Sequence, residues 1–119
     1  MSIYDAVVKA CTDNGLMVII NNHVSTAGAC CTADDNNGMW YNPEYPADKF
    51  FTAVKDMTLR YKTNAMVVAN DIRNELRPDE KNGIMPTWGS GVEANDWMMA
   101  AERAGNEILK YNPDTLVIV

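Results

Sequence analysis

The feature that most constrains this chain is the alternation of helix-type and strand-type segments along its whole length. Apolar residues recur at helical spacing in three segments, and each of these segments is followed by a short, mostly apolar run. The predicted helices are Tyr4–Asp13, Pro46–Lys62 and a third that follows a cap at Asn95 or Asp96 and ends at Asn112-Pro113; the predicted strands are Leu16–Asn21, Ala65–Ile72 and Thr115–Val119. This order predicts an α/β fold with a parallel sheet.

The connections between these segments are of two kinds. Those that lead from helix to strand have about three to five residues, which is the usual length. Those that lead from strand to helix, Asn22–Tyr45 and Arg73–Ala94, have about 23 residues each, and connections of that length in a compact domain are usually functional. Both leave the carboxyl ends of strands, where parallel α/β sheets place their sites. We therefore look for functional residues in these two loops.

The charge and the missing motifs exclude several classes of protein. A formal net charge of −6 argues against a nucleic-acid or anionic-membrane partner, because such binders need a cationic face. No apolar run approaches the ~18–20 residues of a membrane-spanning helix. A nucleotide-binding doubly wound domain is disfavoured by the acidic charge and by the absence of a glycine-rich phosphate loop.

The two ends of the chain predict that it is an internal piece of a larger domain. Met1 stands just before a helix that needs a preceding strand to pack on, and Val119 lies inside a predicted strand. Chain termini of complete domains usually lie at the surface. No signal-peptide pattern stands at the N-terminus, which in an internal piece says nothing about the parent protein.

The three cysteines leave two interpretations open. Cys11, Cys30 and Cys31 cannot all pair with one another, and their spacing does not fit a zinc site. They are either free thiols or cysteines of a secreted protein whose disulfide partners lie outside these 119 residues.

Polar residues follow the first two predicted strands. Asn74-Glu75 comes just after Ala65–Ile72, and His23 comes just after Leu16–Asn21. A carboxylate at the mouth of a sheet can be partly desolvated and act as an acid, and an adjacent amide can orient a sugar hydroxyl. Taken alone, Asn-Glu at a strand end is usually an ordinary polar loop entry, and a lone histidine is more often structural. Their position at the ends of neighbouring strands favours a shared site.

Aromatic residues are concentrated in or beside the long loops, namely Trp40, Tyr41, Tyr45 and Trp88. Flat rings are natural platforms for the C–H faces of sugars, and exposed aromatic side chains are common binding anchors. The alternative is that these rings only hold the loops on the rest of the fold.

The first loop also contains a partial calcium-loop pattern. Asp35, Asn37, Gly38 and Glu44 match its positions three, five, six and twelve, but Ala33 stands at position one, where a carboxylate is needed. No helix enters the loop, so we interpret the match as accidental and expect no metal.

The ordered set of motifs resembles glycoside hydrolase family 5, the cellulase family, in its fungal-type members. Val18-Ile19-Ile20-Asn21-Asn22-His23 is similar to the third-strand segment of that family, and Asn70-Asp71-Ile72-Arg73-Asn74-Glu75 to its fourth. Thr87-Trp88-Gly89-Ser90-Gly91, Asp96-Trp97, the run from Ala100 to Asn106, and Asn112-Pro113 with the final strand resemble the segments that follow. The resemblance implies that residues 1–119 are a fragment of a catalytic (β/α)₈ barrel, a partial TIM barrel that spans roughly helix 2 to strand 5.

The resemblance also implies a mechanism and a site. It makes Glu75 the general acid/base of a retaining glycoside hydrolase, has Asn74 bond the sugar 2-hydroxyl, and places His23 in the same subsite. It agrees with a substrate-binding role for Trp40, Tyr41 and Trp88. The expected substrate is a β-linked glycan, the parent protein is expected to be secreted, and no cofactor is expected. Many members have proline directly after Asn-Glu where this chain has Leu76, so substrate preference does not transfer.

Three expectations follow for this chain. Its three strands should form a parallel sheet with helices on one face only, as in a barrel. His23, Asn74 and Glu75 should meet at the C-terminal rim, with Trp40 or Trp88 within reach. The nucleophile of the family, a glutamate on the seventh strand, lies outside these residues, so the isolated chain should not hydrolyse β-glucans. The alternative function is a non-catalytic carbohydrate-binding or assembly module.

Overall fold

Helices and strands alternate along the structure as the sequence predicts. The computed structural model describes residues 1–28, 32 and 34–119. Its elements are α1 (Ile3–Asp13), β1 (Val18–Asn21), α2 (Ala47–Tyr61), β2 (Val67–Asp71), α3 (Trp97–Tyr111) and β3 (Leu116–Ile118). Each predicted element is present, and each strand is shorter than predicted. β1 begins only at Val18 because the N–H of Leu16 still bonds to the carbonyl of Cys11, which closes the end of α1.

The helix ends follow local hydrogen-bonding rules. Ser2 and Asp5 form a reciprocal capping box at the start of α1, and Gly15, with φ of 78°, ends the turn that follows it. Of the two predicted caps for α3, the structure has Asp96, whose side chain accepts from the N–H of Met98. Pro46 stands at the N-cap of α2, one residue before the helix begins.

The sheet is parallel throughout, with β2 between β1 and β3. Ile19 of β1, Leu116 and Ile118 of β3 lie on one face and are 53%, 66% and 40% exposed. On the opposite face, Ile20 is aligned with Asn70, which in turn is aligned with Val117. This second face is the one that the helices cover.

The core lies between the sheet and the helices and has two parts. The larger consists of Met39, Trp40, Phe50, Val54, Ile72, Trp97, Ala100, Ala101, Ala104 and Ile108; the smaller consists of Val8, Ile20 and Val67. α2 joins them, because Phe50 and Val54 belong to the first while Met57 packs against the second. All three helices therefore pack on one face of the sheet, and the predicted layer arrangement is confirmed.

Two further sequence expectations concern the cysteines and membrane-spanning helices. Cys11 is a half-buried free thiol, whereas Cys30 and Cys31 lie outside the described residues. Within residues 1–28, 32 and 34–119, no helix has the length and apolar character needed to cross a membrane.

Candidate active site

The ends of β1 and β2 lie side by side at the C-terminal rim of the sheet. The N–H of Asn22 donates to the carbonyl of Asp71 at 3.1 Å, and the N–H of Asn74 donates to the carbonyl of Asn22 at 3.0 Å. Since His23 and Glu75 each follow one of these bonded residues, the two loops leave the sheet at the same level. The parallel register therefore brings the backbones of the two sequence-predicted segments next to each other.

Glu75 sits in an unusual backbone conformation at this rim. Its φ is 35°, in the left-handed region that residues with a side chain rarely adopt. The side chain is exposed in this chain, so the partial desolvation expected from its position at the mouth of the sheet is not supplied by the described residues. Its carbonyl accepts a hydrogen bond from the guanidinium of Arg77 at 3.3 Å.

Arg73, directly before Asn74-Glu75, is a buried residue that the sequence did not mark as important. It is 5% exposed, and its Nη2 donates to the carbonyls of Asn37 at 2.6 Å and Met39 at 2.9 Å. Its Nη1 lies 3.4 Å from Oδ1 of Asn22, while Nε is buried without a hydrogen-bond partner among the described residues. The pKa of Arg73 is lowered to about 10, mainly by burial and then by the nearby charge of Arg77, while Asp35 opposes this change.

The two long loops are bonded into one unit behind the rim. The Arg77 guanidinium forms an ion pair with Asp35 at 2.5 Å, and both side chains are largely buried. Beside it, the N–H of Arg77 donates to the carbonyl of Gly38 at 3.0 Å, and the amide of Asn82 donates to that of Asn36 at 2.6 Å. Because these contacts cross between the loops, the backbone that carries Glu75 is supported from both sides.

A second chain of polar contacts runs along the rim. Nδ1 of His23 lies 3.1 Å from Oδ1 of Asn21, and Nδ2 of Asn21 donates to Oδ2 of Asp71 at 2.9 Å. Asn21 and Asp71 are register partners on β1 and β2. Two strand residues therefore connect His23 to the strand that leads to Glu75.

Trp40, which the sequence analysis placed among the candidate aromatic platforms, is buried in the structure. Trp40 is 3% exposed and packs against Tyr41 and Trp97, with ring centroids 5.3 and 5.5 Å apart. Tyr41 is half-buried and donates its hydroxyl to the carbonyl of Ala94 at 2.6 Å. Burial, and then the charge of Asp79, raise its pKa. Both rings hold the first loop on the fold, which is the alternative that the sequence left open.

Trp88 has a different setting, because its side chain is 65% exposed. It stands on a short turn that Asp96 anchors: the carboxylate, fully buried, accepts from the N–H groups of Gly89 at 2.9 Å and Gly91 at 2.7 Å. Burial by itself raises the pKa of Asp96, but these bonds and those from the first turn of α3 outweigh it and bring the pKa below its usual range. Trp88 is thus presented outward by a well-bonded turn, beside α3.

Two cavities among the described residues are lined by predicted site residues but not by the predicted carboxylate. A cavity of about 370 Å³ between the sheet and α2 is lined in part by His23 and Trp40. A groove of about 920 Å³ between the loops and the starts of α2 and α3 is lined in part by Trp40 and Tyr41. Neither is lined by Asn74 or Glu75; Glu75 is exposed and Asn74 is half-buried.

The partial calcium-loop pattern has other uses in the fold. Ala33 lies outside the described residues. The carboxylate of Asp35 pairs with Arg77, and Oδ1 of Asn37 accepts from the N–H groups of Ser25 and Thr26. No group of three potential metal ligands occurs among the described residues.

Comparison with known sequences gives a consistent answer. The family profile described as "Cellulase (glycosyl hydrolase family 5)" matches residues 1–119. An endoglucanase of Paenibacillus polymyxa is 30% identical over 119 residues, which is all of this chain and 27% of that protein. A glycosyl hydrolase 5 family protein of Chamaecyparis obtusa is 32% identical over 98% of this chain and 19% of its own length. The chain thus spans about a quarter of these relatives or less.

Solved structures agree with the sequences. The catalytic domain of the major endoglucanase of Xanthomonas campestris superposes with a TM-score of 0.80 at 27% identity, over 97% of this chain and 30% of that one. An endocellulase of Pyrococcus horikoshii, solved in complex with cellotetraose, has a TM-score of 0.78 at 27% identity, also over 97% of this chain and 30% of its own. The fold is therefore a partial (β/α)₈ barrel, and the chain belongs to glycosyl hydrolase family 5, the cellulase family.

Proposed function

We propose that this chain forms the acid/base part of a retaining β-glycosidase site. The observation that carries the proposal is the junction of β1 and β2, where the N–H of Asn74 bonds to the carbonyl of Asn22. That bond places Glu75 beside the strand end that carries His23, at the rim where (β/α)₈ barrels place catalytic residues.

Glu75 has the role of proton donor and acceptor in this proposal. In the first step its protonated carboxyl gives a proton to the glycosidic oxygen while a second carboxylate attacks the anomeric carbon. In the second step ionised Glu75 takes a proton from the water that releases the sugar. The second carboxylate must lie about 5–5.5 Å from the first, and we assign it to a part of the barrel outside these 119 residues.

The neighbouring residues bind the sugar at the cleavage point. Asn74 has an amide that can bond the 2-hydroxyl, and His23 borders the same subsite. Trp88, exposed on its anchored turn, is the remaining candidate for an aromatic platform. Trp40 and Tyr41 act indirectly, because they hold the first loop in place.

We propose a β-1,4-linked glucan as the substrate class and an extracellular location. A solved relative holds cellotetraose, and a Xanthomonas campestris relative is named a major extracellular endoglucanase. A polymeric glucan occurs outside the cell, so the proposed substrate is consistent with the proposed extracellular location.

A chimeric barrel tests the proposal. The segment of the Xanthomonas endoglucanase catalytic domain that aligns with this chain is replaced by the 119 residues, and release of reducing sugar from a soluble β-glucan is measured. We expect turnover by the chimera and none by the 119-residue chain alone. Glu75→Gln should lower kcat by roughly 10²–10⁴-fold, the usual contribution of acid–base catalysis. Glu80→Gln, an exposed glutamate of the same loop, is the matched control and should not change the rate.

The choice of leaving group separates acid catalysis from a structural role. An aryl cellobioside whose phenol leaves without protonation needs no acid in the first step. Glu75→Gln should therefore slow formation of the glycosyl-enzyme far less with this substrate than with the glucan. A folded chimera that is inactive with Glu75 present, or equally active after Glu75→Gln, would refute the proposal.

A further inference from the structure

His23, Asn21 and Asp71 form a chain of contacts in which the carboxylate of Asp71 determines the orientation of the Asn21 amide. An ionised carboxylate only accepts hydrogen bonds, so the group that Asn21 turns toward Asp71 at 2.9 Å must be its NH₂. The other orientation would place two acceptor oxygens against each other. Asp71 thereby decides which end of the Asn21 amide faces His23.

The amide orientation in turn decides which imidazole nitrogen carries the proton. With its NH₂ toward Asp71, Asn21 presents Oδ1 to His23, and Oδ1 lies 3.1 Å from Nδ1. An oxygen acceptor at this distance requires a donor, so Nδ1 is protonated in both the neutral and the charged ring. In the neutral ring the lone pair is then on Nε2.

We infer that Asn21 and Asp71 are positioning residues that hold the neutral ring of His23 as its Nδ1–H tautomer in the subsite proposed for the sugar. His23 is exposed on the loop that follows β1, whereas Asn21 and Asp71 are half-buried strand residues in register. The tautomer is therefore set by the rigid part of the fold rather than by the loop. The use of this tautomer for sugar binding rests on the proposed function; the tautomer itself does not.

Because His23 is the only histidine of the chain, its tautomer can be measured without assignment. The uniformly ¹⁵N-labelled 119-residue chain is studied by long-range ¹H–¹⁵N correlation at a pH where the ring is neutral, since protonated and unprotonated ring nitrogens have well-separated shifts. We expect the Nδ1–H form, although an unconstrained imidazole in water favours the Nε2–H form. No glycan and no activity enter this measurement, so its outcome is independent of the proposed chemistry.

Three variants test where the preference comes from. Asn21→Leu removes the amide, and Asp71→Asn keeps its shape but allows either orientation of the Asn21 side chain. Each should lower the ratio of Nδ1–H to Nε2–H roughly five-fold or more, which corresponds to the about 1 kcal/mol of one net hydrogen bond. Asn22→Leu is the matched control, because that amide contacts Arg73 instead of His23, and it should leave the ratio unchanged.

Amide spectra establish that each variant keeps the fold of the parent chain. If Asn21→Leu unfolds the chain, the isosteric Asp71→Asn decides the question. A wild-type chain in the Nε2–H form would overturn the inference. So would a folded Asn21→Leu or Asp71→Asn chain that keeps the wild-type ratio, or a change of the same size in Asn22→Leu.

Discussion

Gly38 of the first long loop packs directly against the backbone of the second, and Gly38→Ala should separate the two loops. A Cβ atom at this position would lie 2.6 Å from the carbonyl oxygen of Arg77, 2.8 Å from that of Pro78 and 3.0 Å from the carbonyl carbon of Pro78. Real Cβ atoms essentially never show contacts as short as the first two, and all three atoms belong to backbone. Because no flexible side chain can move aside, the loop itself must shift.

The expected loss in free energy of unfolding has two parts, the strain of overpacking and the loss of one hydrogen bond. Overpacking a buried position costs about 1–3 kcal/mol, and the hydrogen bond from the N–H of Arg77 to the carbonyl of Gly38 contributes about 1 kcal/mol. The sum is about 2–4 kcal/mol. At about 4 °C per kcal/mol for a chain of this size, Tm should fall by roughly 8–16 °C.

Thermal unfolding followed by circular dichroism measures this change, at a concentration where sedimentation shows a monomer. Gly105→Ala is the paired variant, since its Cβ would meet only Cγ1 of Val117 at an ordinary 3.7 Å. Gly105 is inside α3, where alanine is favoured over glycine by about 0.5–1 kcal/mol, so its Tm should rise by a few degrees. A Gly38→Ala chain that melts within about 2 °C of the parent would refute the close approach of the loops.

Three other changes have defined outcomes. Ile19→Lys with Leu116→Lys should reduce self-association of the 119-residue chain in analytical ultracentrifugation, because both apolar side chains stand exposed on the uncovered sheet face; unchanged association would contradict this. The Arg60 guanidinium, and then hydrogen bonds from Ser2 and Tyr61, hold the pKa of Asp5 well below its usual range. Asp5 therefore stabilises the fold at pH values above its unfolded-state pKa, and this stability is lost as the pH falls. Asp5→Asn should therefore lower Tm at pH 7 and flatten the decrease of Tm between about pH 5 and pH 2; parallel curves would argue against it. Asp96→Ala should speed chymotrypsin cleavage after Trp88 on the order of ten-fold, since the turn loses its anchor, and an unchanged cleavage rate would show that the turn is held by other contacts.

The elements, their order and the parallel sheet could be predicted from the sequence because each has a local signal. Helical spacing, buried apolar runs and the cap that precedes Trp97 can each be identified within a few neighbouring residues. The rim positions of His23 and Glu75 also follow directly, since the end of a parallel strand fixes the level at which its loop leaves. These predictions needed no knowledge of what the loops do.

The contacts that support the rim could not be predicted, because they join residues far apart in the chain. Asn21 and Asp71 meet only through the register of β1 against β2, which includes an irregularity between Val18 and Ile19. Arg73 reaches carbonyls of the first loop that no sequence pattern marks as acceptors. Its position between an apolar strand and a polar loop was the only signal, and that signal does not distinguish a buried arginine from an exposed one.

The aromatic residues show the same limit in another form. Trp40 and Trp88 both stand in polar loops, with nothing nearby to tell a buried ring from an exposed one. Burial of Trp40 depends on Trp97, 57 positions later at the start of α3, whereas Trp88 is turned outward by the Asp96 anchor. A prediction based on residue type alone therefore treats two different side chains as equivalent.

The left-handed backbone of Glu75 has a consequence for how this chain can evolve. A side chain at φ of 35° costs of order 1–3 kcal/mol that glycine would not incur. A library randomised at this codon and sorted only for resistance to heat should therefore enrich glycine and asparagine, and each enriched clone would lack the carboxyl group. With the acid/base role proposed for Glu75, sorting the same library in the chimeric barrel for glucan cleavage should restore glutamate and its strain. At position 75, thermal tolerance and the proposed chemistry would make opposite demands on one residue.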